Sequence, residues 1–219
     1  MKHWNDFHDR EHFRELLADF PVAAPPTTDI ALRTVQARFD KLNTENFIQK
    51  LALLGLEEYR TLFAQFPRIL HRYLFKDIFA NAGMYRQTED PKNGIVLFGP
   101  RQQFQGTSPD TISAAIPLAA SCLIPRADDP VYNAVKFYQQ FVLIHPFYDA
   151  NGRIGRFLLE LHLNLHGVGM HWKKLYANEK WINKLNNCHK RINAPEYERY
   201  LGYLVSHWKN FTFYEESRL

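Results

Sequence analysis

The stretch His145-Pro146-Phe147-Tyr148-Asp149-Ala150-Asn151-Gly152-Arg153-Ile154-Gly155-Arg156 decides how this chain is read, because it puts two cations where a helix disfavours them. Upstream, Val131, Val135, Tyr138 and Val142 recur at helical spacing over 130–144; downstream, Ile154, Phe157, Leu158, Leu161 and Leu165 do the same until Gly167. The His145-Pro146 step separates the two helices. Arg153 and Arg156 then fall in the first turn of the second helix, where unpaired N–H groups and the positive end of the macrodipole already gather. Cations there are unfavourable unless an anion sits among them. Spaced three apart, the two guanidinium groups can project from one side of the helix, so dipole, backbone donors and arginines converge on a phosphate chain.

The neighbouring residues suit that ligand. Gly152, without a β-carbon, lets phosphate approach the backbone closely, and Asn151 is a favoured N-cap that can also orient the turn. Asp149 is the one carboxylate of the segment. A magnesium ion bridging the phosphates needs about one such group, because substrate oxygens and water complete its shell. His145 belongs to the pKa class suited to taking a proton from an attacking hydroxyl. Together these residues sketch magnesium-assisted transfer from a nucleotide to an alcohol.

The segment resembles the signature of the Fic (Fido) family, H-P-F-x-[D/E]-G-N-G-R-x-x-R, without a gap and with one departure, Ala150 in place of Gly. The flanks are similar as well. Residues 70–86, LHRYLFKDIFANAGMYR, resemble the helix before the family's β-hairpin flap, and 94–104, GIVLFGPRQQF, resemble the flap, so the likeness covers roughly 56–170. The resemblance implies an all-α Fic fold of about eight or nine helices with one small β-hairpin. It also implies AMP transfer from ATP, with Mg2+, to a Ser, Thr or Tyr hydroxyl of a target protein, releasing pyrophosphate. By the same resemblance His145 would be the general base and Asp149 the magnesium ligand. Asn151, Gly152 and Arg153 would cradle the phosphates and Arg156 would grip the far end. The flap, with Ile95, Val96, Leu97 and Phe98, would hold an extended piece of the target by strand addition.

Other activities fit the same segment. Doc-type kinases, which transfer the γ-phosphoryl group, resemble it but carry Lys where Gly152 stands and lack the second arginine; UMP or phosphocholine transfer is a minor variant. A nucleotide-binding regulatory module without turnover is the non-enzymatic alternative. Family members are restrained by a helix reading [S/T]-x-x-x-E-[G/N]. Here Thr212 to Glu216 matches its core, but Ser217 breaks the pattern, so Glu216 is the candidate inhibitory residue and a polar tail the favoured reading. With no inhibitor inside the chain, an antitoxin-like partner or control by the target is expected.

The remaining sequence sets the frame. A chain of 219 residues, 46% hydrophobic and 23% charged, is long enough for one ordinary core and excludes fibrous and disordered classes. The formal charge of +4 suits an anionic partner, while the absence of a basic run or zinc-finger spacing argues against nucleic acid as that partner. Cys122 and Cys188 suggest neither disulfide framework nor zinc site, and no stretch approaches the ~18 apolar residues of a membrane span, so a cytoplasmic, soluble protein without a membrane partner is expected. An N-terminal helical arm and linker (1–27), a Fic-like domain (28–209) and a C-terminal tail (210–219) follow from the apolar stripes and from the VAAPPTTD break. Pro67 is expected to open a new helix running to Ala82-Gly83. Gly94 and Gly99 have Walker-like spacing but lack the following Lys-Ser/Thr, and His162 and His166 lack a third zinc ligand. The flap's Phe98 is expected to be exposed.

Overall fold

The computed structural model describes residues 10–125 and 127–214. Among them the chain forms α1 (Arg10–Asp19), α2 (Thr28–Asp40), α3 (Glu45–Leu51), α4 (Leu56–Phe75), the hairpin β1 (Leu97–Phe98) and β2 (Phe104–Gln105), α5 (Pro109–Ala120), α6 (Pro130–Ile144) and α7 (Asn151–Leu165). It closes with β3 (Val168–Met170), α8 (Trp172–Ala177), α9 (Lys180–His189), α10 (Tyr197–Lys209) and β4 (Thr212–Tyr214). The all-α class with one small flap hairpin is as expected, but the described residues hold ten helices rather than eight or nine.

Helices α6 and α7 form the centre because each is apolar on two faces. Phe137 and Phe141 of α6 and Ile154, Phe157, Leu158 and Leu161 of α7 join a core with α1, α2, α4 and α5. Val131, Val135 and Tyr138 of α6 and Leu159 and Leu163 of α7 face a second core built with α8, α9 and α10. Asp129 starts α6, its carboxylate accepting from Tyr132 N–H at 3.0 Å with Pro130 next in line. The N-terminal helix is part of the first core: Phe13 packs on Phe75 and Phe79.

Pro67 does not begin a helix but lies inside α4. An interior proline costs about 3 kcal/mol. The stripe Tyr59, Phe63, Phe66, Leu70 and Leu74 continues on one buried face across it, and burial of those side chains offsets the loss. The same helix stops at Phe75, short of Gly83, where Arg38 Nη1 donates to the carbonyls of Leu74 (2.8 Å) and Lys76 (2.7 Å). Residues 76–83 are turns. The flap is shorter than the four-residue strand expected at 95–98: only Leu97 and Phe98 pair, with Gln105 and Phe104.

The C-terminal segment is corrected too. Thr212–Tyr214 is neither inhibitory helix nor free polar tail but strand β4, antiparallel to β3 with Gly169 opposite Phe213. Phe213 can lie on that strand because Gly169 has no side chain; a β-carbon there would sit 2.2 Å from its ring. Glu216 lies outside the described residues.

Gly155 sets how near the central helices come, since a β-carbon on it would meet Phe141 Cδ1 at 2.9 Å and Tyr138 Cδ2 at 3.0 Å. Gly155→Ala is therefore expected to overpack this contact and cost about 1–3 kcal/mol, read as a lower urea midpoint at unchanged slope. An unchanged midpoint would show that the helices part freely.

Candidate active site

The connection between α6 and α7, residues 145–150, carries the signature, and its backbone is held bond by bond. His145 ends α6 in a left-handed conformation (φ 51°, ψ 58°), its N–H still bonded to Phe141 O at 3.1 Å. Phe147 is buried and stacks on His71 with centroids 4.1 Å apart, which anchors the loop in the first core. Ala150, again left-handed at φ 64°, turns the chain into α7. Ala150, not Asn151, is thus the residue preceding the helix. Asn151 is its first residue, and its side chain is used in the other direction: Oδ1 accepts from Phe147 N–H at 3.0 Å and Nδ2 donates to Phe147 O at 2.7 Å. Ala150 supplies no side-chain cap to α7, at the end where a helix's first N–H groups need acceptors from outside it.

His145, Asp149, Asn151, Gly152, Arg153 and Arg156 line one cavity of about 560 Å3, which the flap residues Val96, Leu97 and Phe98 close from the other side. Ile95 does not line it; that residue is exposed and lines a neighbouring cavity with Val96, Leu97 and His12. His12 of α1 also reaches the rim, where its Nε2 donates to Tyr148 O at 3.2 Å, a contribution that no local pattern in the sequence announced.

At His145, Nδ1 lies 3.1 Å from Val142 O. A carbonyl only accepts, so Nδ1 carries the proton and Nε2 keeps its lone pair, with no partner among the described residues. Phe98 is not exposed but packed on the imidazole face, centroids 4.2 Å apart and planes 14° off parallel. It sits there because its other flank meets the edge of His189 and the ring of Phe104, an apolar seat reached only when the chain folds. Burial holds the His145 imidazole down at about 4; the Val142 hydrogen bond and Asp149 oppose this, and Arg86 adds to it.

The arginines differ in setting. Arg153 is buried, donates from Nη2 to Asp149 Oδ1 at 2.8 Å and lies over the ring of Phe39. Asp149 Oδ1 also accepts from Ala150 N–H at 2.6 Å, so Oδ2 is the oxygen left for a cation at the cavity. A single carboxylate oxygen beside phosphate fits magnesium. Arg156 donates from Nη1 to the Tyr138 hydroxyl at 3.2 Å and faces the Tyr176 ring. Burial pulls its pKa down, but the two tyrosines outweigh that and keep it above its usual range. Gly152 makes this posture possible, since a β-carbon there would stand 3.3 Å from Arg156 Nη1. Both tyrosines were invisible in the signature, lying on α6 and α8.

His162 and His166 form no metal centre. His162 Nδ1 pairs with the Tyr59 hydroxyl at 2.7 Å inside the core, His166 Nδ1 bonds to His162 O, and no group of three metal-ligating side chains occurs among the described residues.

Residues 64–163 match the Fic/DOC family model. The match spans a little under half of the chain. Members of this family commonly transfer nucleotide or phosphoryl groups. No curated protein matches the chain. Among solved structures, the fold is similar to a Fic-domain-containing signalling protein from Bacteroides thetaiotaomicron, at 21% identity and TM-score 0.53, over 90% of this chain and 79% of that one. It is similar also to the N-terminal Fic domain of a Bartonella effector protein, at 17% identity and TM-score 0.57, over 94% and 95%. A Fic family protein from Desulfovibrio desulfuricans matches at 20% identity and TM-score 0.51, over 91% of this chain and 58% of that longer one. No helix among the described residues is long and apolar enough to cross a membrane.

Two measurements check the site as built. Asn151→Ala leaves a buried N–H and carbonyl of Phe147 without partners and is expected to cost about 1–3 kcal/mol in denaturant unfolding; a wild-type midpoint would contradict the bridging role. Burial also holds His71 down at about 3, and His145 and His189 at about 4, against an ordinary 6.5. Unfolded chains bind protons that the folded protein refuses, so stability is full above pH 6.5 and drains away as pH falls through about 4. Thermal unfolding followed from pH 7 to about 4.5, above most carboxylate titration, should show Tm falling steadily; a flat profile would be inconsistent with neutral buried imidazoles.

Proposed function

We propose that this protein is an adenylyltransferase that moves AMP from ATP onto a Ser, Thr or Tyr hydroxyl of a target protein. One observation carries the reading: His145, whose Nδ1 is engaged by Val142 O so that Nε2 keeps its lone pair, lines the same cavity as the first residues of α7 and Arg156. A base and an anion cradle sharing one cavity are what transfer from a polyphosphate to an alcohol requires.

In the step, the acceptor oxygen attacks the α-phosphorus, the bond from that phosphorus to the bridging oxygen of pyrophosphate breaks, and the hydroxyl proton passes to His145 Nε2. Arg156 and the N–H groups of α7 hold the phosphates, and Arg153 orients Asp149 through its Oδ1. Magnesium bound at Asp149 Oδ2 would neutralise phosphate charge. The flap presents the acceptor. Val96 O accepts from Gly106 N–H at 2.9 Å and Phe98 is opposite Phe104, so the intervening Leu97 turns its own N–H and carbonyl to the open edge of β1, where an extended target strand can pair.

Gly152 and Arg156 favour AMP transfer over the γ-phosphoryl transfer of Doc-type proteins, which resemble the segment but carry lysine at the place of Gly152 and lack the second arginine; a β-carbon at 152 would already stand 3.3 Å from Arg156 Nη1. The test is incubation with a lysate and ATP labelled at either the α- or the γ-phosphate. Label reaching protein from the α position alone, and lost in His145→Ala with nucleotide affinity retained, is the expected result. Label arriving only from the γ position establishes a kinase instead, and no transfer with bound nucleotide establishes a regulatory module.

A further inference from the structure

Arg86 is a cation in an unusual place. It is 2% exposed, and among the described residues no carboxylate lies within ion-pair distance. What surrounds it is backbone. Nε donates to His145 O at 2.7 Å, Nη1 to Gly94 O, and Nη2 to Thr107 O at 2.7 Å and Ile144 O at 3.3 Å, while its own N–H donates to Pro146 O at 3.0 Å. These carbonyls belong to three stretches: the start of the flap, the end of the flap, and the C-terminus of α6 where it becomes the histidine. The last of these is the negative end of a helix dipole, which suits a buried cation.

We infer that Arg86 is the positioning residue that ties the flap to the histidine, one planar guanidinium fixing both ends of the hairpin and the His145 backbone so that their spacing cannot drift. This rests on the proposed transfer, in which the flap holds the acceptor and His145 takes its proton. The fork geometry matters: carbonyls in three directions need donors fixed in a plane, which an ammonium on a flexible stem does not supply. Gly106 fits closely against the arrangement, as a β-carbon there would lie 2.8 Å from Arg86 Nη2. Thr107 N–H bonding to Ile144 O at 3.0 Å continues the same seam. The side-chain hydrogen bonds of Arg86 end on the carbonyls of Gly94, Thr107, Ile144 and His145, all outside α7, so nucleotide affinity is expected to depend on it less than the flap does.

The test compares wild type with Arg86→Lys and Arg86→Gln in the full chain, with circular dichroism reporting folding. Trypsin cleavage at Arg101, exposed at the flap tip, is expected to quicken at least ~10-fold in both, since cleavage follows the population of the opened form. The His145 imidazole nitrogen signals should shift in both variants, affinity for an ATP analogue with magnesium should stay within ~3-fold, and turnover of AMP transfer should fall by ~100-fold. A residue that merely stabilised the fold would weaken nucleotide binding in proportion. Unchanged Arg101 cleavage with His145 signals at their wild-type positions overturns the inference. If both variants fail to fold, amide exchange in the wild type decides: Gly106, Thr107 and His145 should open with one free energy, and independent rates overturn it. Should the wild type transfer no nucleotide, the proposed function falls, whereas cleavage and imidazole signals still decide the role of Arg86.

Discussion

Two helices buried on two faces each, α6 and α7, must be joined across residues 145–150, and that short turn is the constraint on which the rest depends. The connection is made with His145 and Ala150 in left-handed backbone, a conformation that costs a non-glycine residue about 1–2 kcal/mol. Such a turn persists where its surroundings over-determine it. Phe147 is driven into the first core, Asn151 returns both amide bonds to Phe147, and Arg86 takes the carbonyls of Ile144, His145 and Pro146. The side chains that look functional in the segment are therefore displayed by others that spend their hydrogen bonds on the loop itself.

Asn151 is the clearest case. Its amide faces back along the chain, so it cannot also serve the helix, and α7 begins without a side-chain cap. A helix start without a side-chain cap, Arg156 and the Arg153–Asp149 pair thus gather at one cavity. Nearby imidazoles add none of their own: burial keeps His71, His145 and His189 neutral. The positive field is thus confined to the helix end and the guanidiniums, and the base beside it stays unprotonated.

How much of this was legible in the sequence follows from range. The helices around the signature could be read because Val131, Val135, Tyr138 and Val142, and then Ile154, Phe157, Leu158 and Leu161, repeat within one turn of each other. Pro67 misled because local propensity argued for a boundary, whereas Phe63 and Leu70 are held on one face by helices distant in sequence. Phe98 misled for a similar reason: its seat is made by His145 and His189, which lie 47 and 91 positions further on. The β3–β4 pair needs residues 168 and 214 to meet and leaves no periodic trace in either. Arg86 was quoted only as the end of a flanking stretch, because nothing in its neighbourhood reveals that its partners are carbonyls.

The one departure from the family signature gains a physical meaning from the same turn. Position 150 stands at φ 64°, where glycine is free and alanine strained, so a Gly in the general pattern answers to the backbone and not to the ligand. The methyl of Ala150 is buried in the first core, and its contacts return part of the strain. Its neighbours on either side, Asp149 with Oδ1 on the Ala150 N–H and Asn151 with its bridge to Phe147, hold that backbone from both directions. Strain is thereby stored between the carboxylate and the helix end, the two places where a metal-bound phosphate would have to be met, and the loop tolerates alanine because its geometry is set by those bonds more than by the residue's own preference.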